Sequence, residues 1–481
     1  MKKLLVCVLF MSMMFHFAGC ITDSEALQGD DDVVSDDFEI PEEKDEETAD
    51  ADKDQPEEPD ETEDPDEDET PPLTATIILS KETVYEHKHV EFSAEVTGGT
   101  PPYMYKWSLK NEGPFSTNEK TGDIKFEESE EKTVFLEVMD FDERTFETEI
   151  KFTVHPLEGN MNFYFGNLHS HSAMSDGEGT PPEVMEWAKN HDDLDFYAMT
   201  DHAEQLISQT WNWKKTATDQ ANQDGVFVAL RGFEWSHPVF GHINVFETEK
   251  YTAAYNILLI KDFYDWIEKN DGIGQFNHPG REPDHFNRLK LEPHVLSHMF
   301  AIETGNKGTG NNNGEFIPYY IKALDNGWHV APVSNQDNHK LEMNSHRTVY
   351  VGEELTREHL LEAMKSRRLY SSDDPDIKIV FKLDEHWMGS HVHIDDSNVR
   401  FSVKVMDNEP VLKMELITNG GIVAAQMEPT EDDDPMNLFW FPEVFVMQDS
   451  YFFLRVTSED IYDDERYDIQ IALTAPIWIY R

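Results

Sequence analysis

Hydrophobic positions along this chain follow three successive rhythms. Over residues 74–156 apolar and polar residues alternate in short runs: Ala75-Thr-Ile-Ile-Leu, Val90-Glu-Phe-Ser-Ala-Glu-Val, Tyr103-Met-Tyr-Lys-Trp-Ser-Leu, Thr133-Val-Phe-Leu-Glu-Val and Phe146-Glu-Thr-Glu-Ile-Lys-Phe-Thr-Val. Period-two runs separated by turn residues such as Gly98-Gly-Thr-Pro-Pro predict a β-sandwich. Over 157–375 the apolar runs become continuous, as buried parallel strands require. They alternate with stretches at helical spacing: Thr180-Pro-Pro-Glu leading into Val184-Met-Glu-Trp-Ala-Lys, the segment Ala254 to Glu268, and Thr356 to Lys365. A hydroxyl, an early proline and a first-turn acid mark a helix start at Thr180. Counting His242-Ile-Asn-Val-Phe246 and Met299-Phe-Ala-Ile302 gives seven strands, and a closed parallel barrel is the expected arrangement. Over 376–481 alternation without helices resumes, in Ile377-Lys-Ile-Val-Phe, Val399 to Val405, Val411 to Ile417 and Tyr451 to Val456, predicting a C-terminal β domain.

Before residue 74 the pattern is lost, and composition explains why. Residues 21–73 are dense in Asp, Glu, Pro and Thr; from Asp30 to Glu69 there are 24 acidic residues against Lys44 and Lys53. Such a segment buries too little apolar surface to offset its ordering entropy and is expected to be an extended, disordered linker. The formal net charge of the whole chain is -58, which argues against nucleic acid or an anionic membrane as an electrostatic partner. Residues 1–20 have the charged start and short apolar core of a secretory signal. Phe17-Ala-Gly-Cys20 resembles the bacterial lipobox, which implies processing at Cys20 and a lipid anchor there; an ordinary signal peptide is the alternative. Cys7 and Cys20 are the only cysteines, so the processed chain would have no disulfide. By analogy with lipoprotein sorting, Ile21 after the cysteine implies an outer-membrane or cell-surface location, if the source is Gram-negative. No obligate protein partner is expected.

The candidate chemistry lies where the apolar runs of the middle region end. Phe163 to His171 ends in His169-Ser-His171, Leu194 to His202 in Thr-Asp201-His202, and Val226 to Glu234 in Glu234. Ile273 to His278 ends in Asn277-His278, and Val330 to His339 in Asp337-Asn-His339. Functional groups of a barrel gather at the carboxyl ends of its strands. Residues at i and i+2 on a strand point to one side, so His169 with His171 can share metal ions. Asp176 follows in Ser175-Asp-Gly, and His242 lies in the next unit. Mixed imidazole and carboxylate ligands suit divalent ions of the Zn, Mn or Fe type rather than Ca. Glu234 is the expected bridging carboxylate, and Asp201 either shuttles protons or orients a histidine. Glu303 either faces the substrate or holds a histidine. Arg281 and Arg347 are candidates for gripping a phosphate. His237, His285, His294, His298 and His346 lack motif support.

The order His-X-His, Ser-Asp-Gly, Thr-Asp-His, Glu, Gly-His, Asn-His-Pro and Asp-X-His resembles the PHP (polymerase and histidinol phosphatase) family from about Asn162 to Ser372. Gly241-His-Ile-Asn and Asn277-His-Pro are similar to its carbaryl-hydrolase-like branch. The resemblance implies a distorted (β/α)7 barrel with two or three divalent ions, held by His169, His171, Asp176, His202, Glu234, His242, His278, Asp337 and His339. Ser334-Asn-Gln-Asp-Asn-His339 departs from the family's usual Ser-Asp-X-His. Gly98 to Ser108 resembles the polycystic-kidney-disease (PKD) type of immunoglobulin-like repeat, with Trp107 as core tryptophan. Together these features predict a lipid-anchored, metal-dependent phosphoesterase acting on a small-molecule or phosphoester substrate. A carboxylic or carbamate ester hydrolase, or a surface scaffold with a vestigial barrel, are the alternatives.

Overall fold

The computed structural model describes residues 70–481 apart from 111, 192, 282–284, 308–312 and 461–468. The expected signal, Cys20 and the acidic segment as far as Glu69 lie outside the described residues. Among the described residues no helix is long and apolar enough to cross a membrane.

The N-terminal layers form from the alternating runs. Thr74–Leu79 pairs antiparallel with Phe92–Thr97, and Glu131–Met139 lies between Met104–Leu109 and Thr145–His155. Alternate side chains point inward and make a core of Ile77, Phe92, Trp107, Val134, Leu136 and Val138. Trp107 is fully buried, its indole donating to the Asn118 carbonyl at 2.8 Å.

The middle region is built on nine strands: β1 Asn162–Asn167, β2 Phe196–Met199, β3 Val228–His237, β4 Gly241–Phe246, β5 Ile273–Asn277, β6 Met299–Asn306, β7 Ala331–Asn335, β8 Arg347–Gly352 and β9 Leu369–Ser372. Among the described residues five right-handed helices accompany them, α1 Pro181–Lys189, α2 Ser208–Ala221, α3 Ile260–Lys269, α4 Asn313–Asp325 and α5 Arg357–Ser366, with a short left-handed turn at His285–Leu289. At the start of α1 the Glu183 carboxylate accepts the backbone N–H of Thr180 at 2.8 Å, and at the start of α5 the Thr356 hydroxyl accepts that of His359 at 3.1 Å. The start of α1 thus lies where the capping residue Thr180 predicts it.

The closed (β/α)7 barrel is not formed. Among the described residues the structure is mostly β, 43% strand against 17% helix. The strands run β7-β6-β5-β4-β3-β2-β1-β8-β9, and the sheet continues into Ile469–Thr474, Ser450–Glu459, Val411–Thr418 and Ile422–Met427. Two physical causes break the expected alternation. β3 and β4 are joined by the tight connection Pro238-Val-Phe240, with Gly241 at φ 87°, whereas a parallel crossover needs a dozen or more residues. β4 therefore runs antiparallel to both β3 and β5. Second, β8 pairs antiparallel with β1, and β9 with β8, so the sheet runs on into the C-terminal strands rather than closing. Parallel pairing survives in two blocks, β1-β2-β3 and β5-β6-β7.

The boundary expected at 375/376 falls in a loop, but the core crosses it. Val349, Tyr350, Leu369 and Tyr370 belong to one apolar cluster with Phe381, Phe401 and Leu454. The N-terminal layers are tied in as well. Lys404 on strand Asn398–Met406 meets Glu86 at 2.8 Å and Glu158 at 3.0 Å, and the His87 ring stacks on Phe439 at 3.8 Å.

Candidate metal centre

Backbone contacts at the ends of the strands bring the candidate ligands together. Beyond β1, the Leu168 N–H donates to Asn335 Oδ1 and the Ser170 N–H to Thr200 Oγ, while His171 N donates to the Asn338 carbonyl at 2.8 Å. The segment carrying His169 and His171 is thereby held between the ends of β2 and β7. His202 and Glu234 meet across a parallel bridge just past the end of β2. On β4, His242 lies opposite Asn277 of β5.

Glu234 is the hub. Its side chain is 1% exposed, and five imidazoles surround it. Oε1 lies 3.2 Å from His169 Nε2, 3.2 Å from His242 Nδ1 and 3.4 Å from His278 Nε2. Oε2 lies 2.7 Å from His202 Nδ1 and 3.8 Å from His171 Nε2. The Asn277 amide donates to Oε1 at 2.8 Å. Asp337 also reaches the His169–His171 pair, its Oδ1 3.2 Å from His171 Nε2 and 3.5 Å from His169 Nε2. Asp176, half exposed, lies 3.4 Å from His339, 3.6 Å from His202 and 3.6 Å from His171. All nine residues anticipated from the sequence meet here.

Two further buried carboxylates, Glu303 and Asp201, support the cluster. Glu303, fully buried at β6, accepts at Oε1 from His169 Nδ1 (2.9 Å) and at Oε2 from the His278 backbone N–H (2.6 Å). Its carboxylate thus holds both the His169 ring and the segment carrying His278. Asp201 is also fully buried; its carboxylate accepts from Ser172 N and Oγ and from Ser175 Oγ, and it pairs with Lys214 at 2.7 Å. Burial alone would raise its pKa, but the Lys214 ammonium overrides this and holds it at about 2. Its contacts shape the Ser172–Ser175 turn. Arg347 is displaced from its expected role: it is buried, donates to the carbonyls of Asn344 and His346, and lines a separate cavity with Asp193 and Lys378. Arg281 does reach the site, 3.5 Å from Asp337 Oδ2, and Lys307 joins it at 3.3 Å. Lys307 and Lys214 carried no motif and were missed. His237, His294, His298 and His346 make contacts outside the cluster.

The donor set suits divalent cations. Overlapping groups of three or four ligand atoms, each within 4.8 Å of one another, are formed by His171, Asp176, His202 and His339; by His169, His278 and Asp337; by His169, His171 and Glu234; and by His202, Glu234 and His242. The Nε2 atoms of His169 and His171 converge to 3.2 Å, and His278 Nδ1 is buried without a hydrogen-bond partner. Burial opposes charge here, yet His242 and His169 hold Glu234 well below the usual carboxylate range. Conversely Asp337, Glu303 and Glu234 hold His169 well above the usual imidazole value. Metal ions would satisfy the same carboxylate and imidazole atoms. Asp337 and His278 have φ of 45° and 27°, a strained region for residues with a Cβ and one concentrated at functional sites.

Comparison with known proteins adds little to this geometry. No protein-family description matches the chain. An uncharacterized protein of Chlamydia pneumoniae is 21% identical over 370 residues, covering 66% of this chain and 57% of its own length. The chain thus spans little more than half of that relative. Among solved structures, three N-terminal domains of the bacteriophage RB49 outer capsid protein Hoc align at TM-score 0.20 and 9% identity, over 85% of this chain and 99% of that one. A family 2 β-glucuronidase aligns at TM-score 0.15 and 9% identity, over 83% and 61%.

Proposed function

We propose that this protein is a metal-dependent hydrolase and that its substrates are phosphoesters. The observation that carries the reading is the Glu234 carboxylate, almost completely buried with imidazole nitrogens of five histidines within 3.8 Å. A buried acid so placed would help hold divalent cations beside those imidazoles. Divalent ions bound there would bring the pKa of a coordinated water toward neutrality and offset charge developing on the substrate's oxygens.

The chain's own residues supply the rest. Glu303 fixes the His169 ring so that Nε2 faces the cluster, and Asn277 fixes one oxygen of Glu234. Arg281 and Lys307, partly exposed beside Asp337, offer two fixed positive charges to an anionic group arriving from solvent. That pair favours a phosphoester over a neutral carboxylic or carbamate ester. The ligand order, similar to that of the PHP family, supports the reading; a closed barrel forms no part of it. Attachment to a membrane through Cys20 rests on the N-terminal sequence, and retention of Cys20→Ser in the membrane fraction would overturn it.

The test is metal analysis of the purified protein followed by a screen of phosphomono-, phosphodi- and carboxylic esters. Glu234→Gln keeps the shape and removes the charge. It is expected to lower metal stoichiometry and reduce turnover at least about a hundredfold, near 2.7 kcal/mol. Full metal content with normal turnover in that variant would remove Glu234 from the centre. Cleavage of carboxylic esters alone would select the other hydrolase reading.

A further inference from the structure

Away from the histidine cluster, four acids converge in the C-terminal part of the fold. Asp374 and Asp376 lie in the loop between β9 and strand Lys378–Leu383; Asp407 and Glu409 lie in the turn between strands Asn398–Met406 and Val411–Thr418. One oxygen from each lies within 4.8 Å of the other three. Asp374 and Glu409 are each 1% exposed.

Part of this acidity shapes the loops. Asp374 Oδ1 accepts the backbone N–H groups of Asp376 and Ile377 at 2.9 and 3.0 Å, and its Oδ2 accepts from Ser458 Oγ at 3.4 Å. Asp407 Oδ1 accepts from Glu409 N, and Asp376 Oδ2 from the Asn408 amide. Three further oxygens, Asp376 Oδ1, Asp407 Oδ2 and Glu409 Oε2, are buried and receive no hydrogen-bond donor. The charged groups that bear most on Asp374, Asp407 and Glu409 are other carboxylates. Burial, and then those neighbours, push Asp374 up to about 7 and Asp407 up to about 9. Buried acids in such a setting need a counter-charge or a shared proton.

We propose that Asp374, Asp376, Asp407 and Glu409 form a binding site for a hard divalent cation, calcium in class, distinct from the histidine-rich centre. The donors are all oxygens, which suits Ca2+ and disfavours the borderline metals that imidazole attracts. Two oxygens on opposite sides of a Ca2+ ion lie about 4.8 Å apart, twice a bond of about 2.4 Å, and the four donors fit within that span. Calcium there would clamp the loop that leaves β9 to the turn that enters the C-terminal strands. Its effect is therefore on stability, and it does not depend on the hydrolase reading.

The experiment uses the full chain, stripped with chelator, and follows thermal unfolding at neutral pH with Ca2+ or Mg2+ added. Ca2+ is expected to raise the Tm by at least about 3 °C, with a smaller response to Mg2+. In Asp407→Asn/Glu409→Gln the response should vanish, while the cation-free Tm equals or exceeds that of the wild type because repulsion has been relieved. An unchanged Ca2+ response in the variant would place the ion elsewhere and overturn the proposal. So would an indifferent wild type that is stabilised only by mild acid, since a shared proton then satisfies the cluster. If the variant does not fold, Tb3+ on the wild type decides. Tyr370, buried in the field of Asp374, Asp407 and Asp376, should sensitise luminescence that Ca2+ quenches by displacement; no luminescence refutes the site.

Discussion

Nδ1 of His169 and Oε1 of Glu303 lie 2.9 Å apart with both side chains fully buried, so the carboxylate decides which nitrogen of the ring is left for a ligand. The opposite nitrogen, Nε2, faces Glu234, Asp337 and His171. A carboxylate behind a histidine also raises its basicity as a ligand.

Glu303→Gln should therefore weaken metal binding about 10- to 100-fold while leaving the circular dichroism spectrum unchanged. Competition with a chromophoric chelator measures this directly. Wild-type affinity in the variant would show that Glu303 serves folding alone.

The buried pair of Lys214 and Asp201, 2.7 Å apart with both side chains at 0% exposure, predicts an asymmetric result. Lys214→Met strands the aspartate and should cost about 3–5 kcal/mol by urea unfolding. Combining it with Asp201→Asn should recover much of the loss, because no uncompensated charge remains. Equal stability of the single and double variants would contradict the pairing.

Arg281 and Lys307 bear on substrate class. Replacing both with Gln should raise KM for a phosphomonoester at least about tenfold, near 1.4 kcal/mol, and leave KM for a neutral ester unchanged. Equal effects on both substrates would exclude them as an anion clamp.

Stability should also depend on pH through His329, which lies against His391 at 4.6 Å and Trp478 at 5.0 Å between ring centroids. Burial, then His391 and Arg367, lower its pKa to about 4. The unfolded chain, with an ordinary imidazole near 6.5, binds the proton first. His329's neutral form thus contributes stability above about pH 6.5 that is lost as pH falls toward 4. His329→Gln should flatten the change in urea midpoint between pH 7 and 5 relative to wild type; an identical slope would remove His329 as a cause.

Much of the candidate site was legible along the chain because it depends on local order. His169, His171, His202, Glu234, His278, Asp337 and His339 each end or closely follow an apolar run, and a strand end is a property of neighbours in sequence. Glu303's role was not legible, since its partners His169 and His278 lie 134 and 25 residues away. The start of α3 was misjudged for a similar reason. Apolar spacing suggests Ala254, but the Ala254 N–H donates to Glu204 Oε1 at 2.7 Å, and the helix begins at Ile260. The antiparallel direction of β4 could have been inferred from the three residues between His237 and Gly241, too few for a crossover.

The amino-acid order by itself determined the periods of two and 3.6, the cap at Thr180, and the chemical types placed at strand ends, because each arises from residues close together on the chain. Only the tertiary structure decided the direction of strand pairing, the open sheet in place of a barrel, the choice of Glu234 as hub, and the meeting of Asp374 with Asp407 and Glu409. Those outcomes are set by loop lengths and by contacts between residues far apart in sequence. There, burial and charge compensation outweigh local preference.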